Sequence, residues 1–423
     1  MNESVNKEQR KEKIDKEKIF TVPFSLKEVK ENITISANNP DKPSKEKIIN
    51  QAFMFHAQGN ISEAAKYYKN FINQGFKDHR VFSNYGVILK NLGKLQDAKI
   101  AYQKAIELNP HFAEAHSNLS LIFRDLGKLQ DAEIAIRKAI ELNPHFAEAH
   151  SNLSLIFRDL GKLQDAEIAI RKAIKLNPNC ASSYKDLGIC QYLIGDIDSA
   201  FNSILKANSI DPEELGNKIL LRIFHKEKDT KNSDLQTNQK NLSLPETTLN
   251  SNPLILHMPI EVELINSLYK IKARDQEKYQ APTYGDAKGS DYKLFEINDS
   301  IIKITEEKLI SIAKDSVKSD IFISESFFTI FRSGGGLKSH DHLNKLDKVK
   351  GLNLANKKYS LVYYVSVGDQ DCDEPGILKL KNPNQEILPN NGLIVIFPAR
   401  RKHSVFYKGN KDRIIIGVNF YRL

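Results

Sequence analysis

The segment of this sequence best equipped for chemistry is Ser333-Gly334-Gly335-Gly336-Leu337-Lys338-Ser339-His340-Asp341-His342. Two imidazoles at i and i+2 on the end of an extended strand point to the same side. A third, His403, follows the apolar run GLIVIF and the turn Pro398-Ala399-Arg400-Arg401-Lys402, and Arg413 comes 10 residues later. Three histidines drawn from two distant places can hold one face of a mononuclear metal ion and leave other positions open for substrate and O2. Imidazole suits Fe(II), and an arginine close by can take a carboxylate through two parallel N–H bonds. Taken singly, each histidine reads as structural. The pair beside a glycine-rich turn, joined by the third, is what points to metal.

On these residues the C-terminal part of the chain resembles the Fe(II)/2-oxoglutarate-dependent oxygenases of the prolyl-hydroxylase-like group. Their pattern is His-x-Asp, a distal His, then Arg or Lys. His340, His403 and Arg413 match it position by position, and the likeness covers about 320–423. The run YSLVYYV is also similar to the strand that follows the first ligand pair in bacterial members that write His-x-His. The resemblance implies a mainly β domain with a double-stranded β-helix (jelly-roll) fold. It implies Fe(II) held by His340, His342 and His403, and 2-oxoglutarate anchored on Arg413. The activity implied is hydroxylation of a C–H bond with release of succinate. His342 stands where the family usually has Asp, and Asp341 next to it would face the other way. A three-histidine site lacks one negative charge, which weakens iron binding or favours another metal. Ile415 replaces a common Ser and removes one hydrogen bond to the co-substrate carboxylate.

A second resemblance competes. Gly334, His340-x-His342 and Asp347 look like the first cupin motif, and Gly392, Pro398 and His403 look like the second, with Arg400 in place of its Gly. That likeness implies a similar barrel with Asp347 as a fourth ligand. Arg413 favours the oxygenase. Tyr363 and Tyr364 alternate faces, so one belongs to the core and the other, Tyr364, is expected beside the co-substrate. Arg400-Arg401-Lys402 is either a solvated turn or a device that concentrates the 2-oxoglutarate dianion.

The elements that must position these groups are short. β-rich runs fall at 321–332, 359–367, 376–380, 392–397, 404–408 and 413–421, separated by Gly, Pro and Asn and by no long helix. Such a series predicts an antiparallel sandwich or barrel. Helices are expected near 260–273 and 298–316, and residues 253–423 suffice for an independent core.

The preceding sequence has a different character. Residues 109–142 recur as 143–176 with one change, Glu141 becoming Lys175. The 34-residue period extends to Pro110, Pro144, Pro178 and Pro212, to Gly59, Gly93, Gly127, Gly161 and Gly195, and to Ala64, Ala98, Ala132, Ala166 and Ala200. Each unit contains two stretches of helical period, the first ended by Gly, the second bounded by Pro. This pattern resembles the tetratricopeptide repeat family. His116 and His150 take the place of its usual aromatic, and Ser120 and Ser154 that of its common Gly. The resemblance implies an all-α solenoid of about five repeats over 45–226, counting a capping helix near 213–226, with a concave groove that holds peptides or partner helices. In register, Asn84, Asn118 and Asn152 recur along the first helices, followed by Lys90, Arg124 and Arg158. Such an amide ladder resembles the asparagine ladder of O-linked glycosyltransferases and would grip a peptide backbone; surface solvation is the other reading. Residues 1–44, Lys/Glu-rich with Pro23, Pro40 and Pro43, are expected to be mostly disordered, with a short helix near 25–33, and 227–252 to be a linker.

Composition agrees with a soluble protein of several domains. The 423 residues are 40% hydrophobic and 27% charged, with a net charge of +9 spread along the chain. No concentrated basic tail suggests nucleic acid. Three cysteines exclude a disulfide framework and a four-thiolate metal site. No apolar run approaches the length of a membrane span, and the N-terminus lacks a signal peptide's apolar region, so a cytoplasmic location is expected. Together these features predict a peptide- or protein-directed dioxygenase with its recognition arm attached; the alternative is a scaffold whose barrel binds only a ligand or structural metal.

Overall fold

Gly59, Gly93, Gly127, Gly161 and Gly195 all adopt left-handed φ values, from 71° to 97°. That backbone region favours a residue without Cβ, and each of these glycines turns the chain from the first helix of a pair into the second. The computed structural model describes residues 44–237, 252–271, 274–275, 283–284 and 286–423. Residues 1–43, with the helix expected near 25–33, and residues 238–251 of the expected linker lie outside them.

The first pair is α1 (Lys45–Ala57) and α2 (Ile61–Asn73), the second α3 (His79–Asn91) and α4 (Leu95–Leu108). Then come α5 (Ala113–Asp125) with α6 (Leu129–Leu142), α7 (Ala147–Asp159) with α8 (Leu163–Leu176), and α9 (Ala181–Ile194) with α10 (Ile197–Ile210). Ala64, Ala98, Ala132, Ala166 and Ala200 are completely buried, as their small size at the helix contact requires. Leu153, Phe157, Ile136 and Phe146 belong to one apolar cluster that joins successive repeats.

The chain divides into two compact units between Ile210 and Asp211. Helix α11 (Leu215–Thr237) falls in the second, where Lys226 pairs with Asp320 at 3.7 Å and Glu227 with Lys357 at 2.8 Å. The helix expected to cap the repeats is thus grouped with the C-terminal unit, and it continues through the start of the expected linker.

That unit contains two antiparallel sheets. The larger holds β1 (Leu254–His257), β10 (Leu393–Pro398), β7 (Lys358–Ser366), β12 (Arg413–Arg422), β5 (Ile321–Phe331), β4 (Ala287–Gly289) and β2 (Arg274–Asp275), in that order. The smaller holds β3 (Thr283–Tyr284), β6 (Gly336–His340), β11 (His403–Phe406), β8 (Leu378–Leu380) and β9 (Gln385–Ile387). Phe331, Val362, Tyr364 and Val395 of the larger sheet pack with Leu378, Leu380 and Val405 of the smaller. The opposite face of the larger sheet, with Phe328, Leu361, Tyr363 and Ile416, packs on α12 (Val262–Lys270) and α13 (Ser300–Val317). Covered on both faces, β7 and β12 are buried along almost their whole length. This is why their sequences are continuous apolar runs instead of alternating ones.

Two differences from the sequence-based expectation bear on the site. The glycine-rich segment becomes strand β6, although glycine and polar residues give it no strand signature. The strand expected from 404 starts at His403, so this histidine is itself a ladder residue, opposite His340.

Candidate functional site

The antiparallel pairing of β6 with β11 sets His340 and His403 opposite each other, while a bulge before that pair adjusts the approach of β6. Beyond β6 the His342 N–H donates to the Ala399 carbonyl at 3.0 Å, which ties the second ligand residue to the turn that precedes His403. Ring centroids are 4.3 Å apart for His340 and His403, 4.9 Å for His340 and His342, and 5.0 Å for His342 and His403. One nitrogen from each ring lies within 4.8 Å of the others. Two nitrogens bound at about 2.1 Å to one ion are at most about 4.2 Å apart, so a small inward turn of the rings completes the set.

The donor chemistry fits a divalent metal. Nδ1 of His340 lies 2.7 Å from the Lys338 carbonyl, and Nδ1 of His403 lies 3.3 Å from the Arg401 carbonyl. A carbonyl only accepts, so Nδ1 carries the proton in both and Nε2 keeps the lone pair. Burial lowers all three pKa values. For His340 the Lys338 carbonyl and Asp341 partly oppose it. His342 falls well below the usual value through burial, helped by His403, His340 and Lys358. His403 falls to about 3, through burial and then His340. Neutral imidazoles near pH 7 suit a metal: His340 and His403 offer Nε2 directly, whereas the amide at His342 Nδ1 donates to that ring and leaves its proton on Nε2.

Arg413 lies at the start of β12 and is completely buried. Its Nη1 donates to the Pro375 carbonyl at 2.8 Å, and its guanidinium lies over the Tyr364 ring, 5.1 Å from the centroid. Burial disfavours its charge, and the Tyr364 phenol offsets part of that cost. Nε and Nη2 make no hydrogen bond of acceptable geometry, and no described carboxylate forms an ion pair with this arginine. Those two atoms form one edge of the guanidinium, the edge that grips a carboxylate bidentately. Arg413, Tyr364 and His403 line a single small cavity of about 20 Å³, walled by Leu337, Val362, Leu378 and Ile415 among others, so a carboxylate ligand would need these walls to move apart. Tyr363 faces the opposite side, its hydroxyl donating to the Pro259 carbonyl at 3.2 Å. Gly376, with φ +81°, borders the guanidinium so closely that a Cβ there would overlap Nη1.

Asp347 does not belong to the converging group of histidines. Its buried carboxylate accepts from Lys358 Nζ at 3.1 Å, from the Tyr421 hydroxyl at 2.6 Å and from the Asn344 N–H at 2.8 Å. These partners hold it apart from the histidine cluster, which corrects the cupin expectation. The basic turn is also divided in role. Arg401 is buried and donates to the Lys381 and Pro383 carbonyls and to Gln385 Oε1, whereas Arg400 and Lys402 are exposed.

Sequence reasoning missed Asn419. This buried amide has its Nδ2 3.3 Å from His342 Nδ1, donates to Glu325 Oε2, and accepts from the Ser360 hydroxyl at 2.7 Å. The signal was available: Asn419 is the one polar side chain between Ile414 and Phe420 in the last strand.

In the first unit the expected groove residues are packed against neighbouring repeats. Asn84, Asn118 and Asn152 are buried, and Asn152 Nδ2 donates to Ser117 Oγ in the preceding repeat at 3.1 Å. Lys90, Arg124 and Arg158 pair with Asp125, Asp159 and Asp186 of the following repeats at 3.3, 2.6 and 3.6 Å. These amides are thus buried within the stack instead of facing solvent, and Asn152 ties its repeat to the preceding one.

The tetratricopeptide repeat family model matches residues 85–147, 123–179 and 151–212. The helices within residues 85–212 are tetratricopeptide repeats. Among solved structures, a thermophilic tetratricopeptide repeat protein of Thermus thermophilus is 18% identical, with 43% of this chain and 98% of that one covered and a TM-score of 0.38. MamA of Desulfovibrio magneticus RS-1 is 20% identical over 40% of this chain and 96% of its own, with a TM-score of 0.36. YrrB, described as a tetratricopeptide repeat protein with an unusual peptide-binding site, is 17% identical over 41% of this chain and 90% of its own, with a TM-score of 0.34. No curated protein matches the chain. No helix among the described residues is long and apolar enough to cross a membrane.

Proposed function

We propose that this protein is an Fe(II)- and 2-oxoglutarate-dependent dioxygenase that hydroxylates a peptide or protein recruited by its tetratricopeptide repeats. The observation that supports the proposal most is the fully buried Arg413, which has no carboxylate partner among the described residues and lines the same cavity as His403. An unpaired buried cation is costly, and it is tolerated where an anionic ligand completes it. The strand order supports the fold expected of such enzymes. From β5 to β12 the chain passes back and forth between the two sheets, and neighbouring strands are antiparallel, as in a double-stranded β-helix.

His340, His342 and His403 would hold the metal. When bound, Fe(II) supplies the redox chemistry by which O2 oxidises 2-oxoglutarate to succinate and CO2 while its second oxygen atom enters a substrate C–H bond. The chain's own groups orient and exclude. Arg413 offers Nε–H and Nη2–H to a carboxylate, Tyr364 and Pro375 hold the guanidinium in place, and the apolar walls keep water from the methylene chain of the co-substrate. Asn419 steadies His342. The repeats supply a protein-binding surface of the kind YrrB is described as using for peptides.

The test is succinate release from 2-oxoglutarate in air, measured on the full chain with Fe(II). Wild-type protein is expected to release it even without substrate, slowly, and Arg413→Met to release none above background. Absence of release from the wild type, with or without candidate peptides, would contradict the proposal.

A further inference from the structure

The exposed side chains of the segments that flank the histidine cluster are mainly basic, although Asp341 adjoins His340 and Glu325 reaches His342 through Asn419. The segment after His342 and the turn before His403 lie side by side: the His342 N–H bonds Ala399, the Ala399 N–H bonds the Lys358 carbonyl, and Arg400 bonds Asn356. On β6 and these two segments the exposed cations are Lys338, Lys345, Lys348, Lys350, Arg400 and Lys402. The acids in 338–350 and 398–403 are Asp341 and Asp347, and Lys358 already neutralises Asp347. Lys338, Lys348, Lys350 and Lys402 form no ion pair with any described carboxylate.

We infer that the mouth of this site receives an acidic polypeptide segment, so that the residue acted upon lies among aspartates and glutamates. An opening bordered by one sign of charge raises the local concentration of ligands of the other sign and speeds their capture. Nucleic acid shares that sign, but proteins that act on bases or single strands stack them on aromatic side chains. Residues 338–350 and 398–403 contain no Phe, Tyr or Trp, and the chain's other unit carries tetratricopeptide repeats, a fold suited to holding peptides. The inference rests on the proposed function only for what happens to the segment after it binds.

The experiment is fluorescence anisotropy on the full chain. The probes are a labelled peptide alternating Glu and Asp with Ala and Gly, its Gln/Asn counterpart, and a labelled oligothymidylate. The acidic peptide is expected to bind at least about tenfold more tightly than its amide counterpart, and the preference to fade as salt rises. The quadruple exchange of Lys338, Lys348, Lys350 and Lys402 to Glu is expected to abolish it, and the same four to Gln to give an intermediate loss. These lysines are exposed, and circular dichroism checks that both variants fold. Equal binding of the two peptides, a preference that survives charge reversal, or tighter binding of oligothymidylate would overturn the inference. Succinate release by the wild type separates the two claims. Release without an acidic preference defeats this inference alone, and an acidic preference without release defeats the dioxygenase reading alone.

Discussion

His340 and His403 are ladder partners across β6 and β11, and their rings lie 4.3 Å apart. The sheet, not a loose loop, therefore fixes the first half of the histidine cluster. Isothermal titration of the full chain with Co(II) is expected to show one site, and His403→Ala to weaken it by more than about 100-fold. Equal affinity in the variant would remove the ion from this cluster.

Asn419 acts on the same site through His342. Asn419→Ala removes the amide beside Nδ1 and leaves the ring free to turn. A loss of metal affinity of about 10- to 100-fold is expected, with the fold retained, and the same titration measures it.

Arg413 separates stability from function. Arg413→Met removes a buried cation without an anionic partner, at the cost of the bond to Pro375. The melting temperature of the ligand-free protein is expected to stay level or rise, while 2-oxoglutarate binding by the metal-loaded protein is lost. Gly376→Ala, which drives a methyl group into the guanidinium, is expected to weaken 2-oxoglutarate binding and to lower the melting temperature as well.

The buried imidazoles make the metal-free protein sensitive to acid. Unfolded histidines take up protons as the pH falls through the ordinary value of 6.5, whereas folded His403 resists until about 3. Over that window the unfolded state binds more protons, so stability falls with falling pH. Thermal melts between these limits check the sign, and His403→Gln is expected to flatten the slope.

Asn152→Ala tests the revised role of the amides. Loss of its bond to Ser117 inside the stack is expected to destabilise the first unit by about 1–3 kcal/mol, measured by urea unfolding. A fully stable variant would return Asn152 to the groove.

Much of this was legible in the sequence because the signals were periodic or apolar. The 34-residue recurrence of Gly and Ala locates every helix pair, and runs such as YSLVYYV and RIIIGVNFY mark the central strands. His340, His342, His403 and Arg413 were legible as types at telling spacings. What escaped has no local signature. Strand β6 is held by its neighbours despite glycine and serine, and Asp347 matches a cupin spacing while its carboxylate is taken up by Lys358 and Tyr421. Asn118 and Asn152 repeat like a surface code, yet which face of a helix is covered depends on the next repeat.

The central claim is that Fe(II) and 2-oxoglutarate meet between the three histidines and Arg413. Absorption spectroscopy without O2 tests it most directly. The full chain with both added is expected to develop a weak visible charge-transfer band that is absent from His403→Ala and from Arg413→Met. A wild-type spectrum without that band, or a band unchanged in both variants, would contradict it.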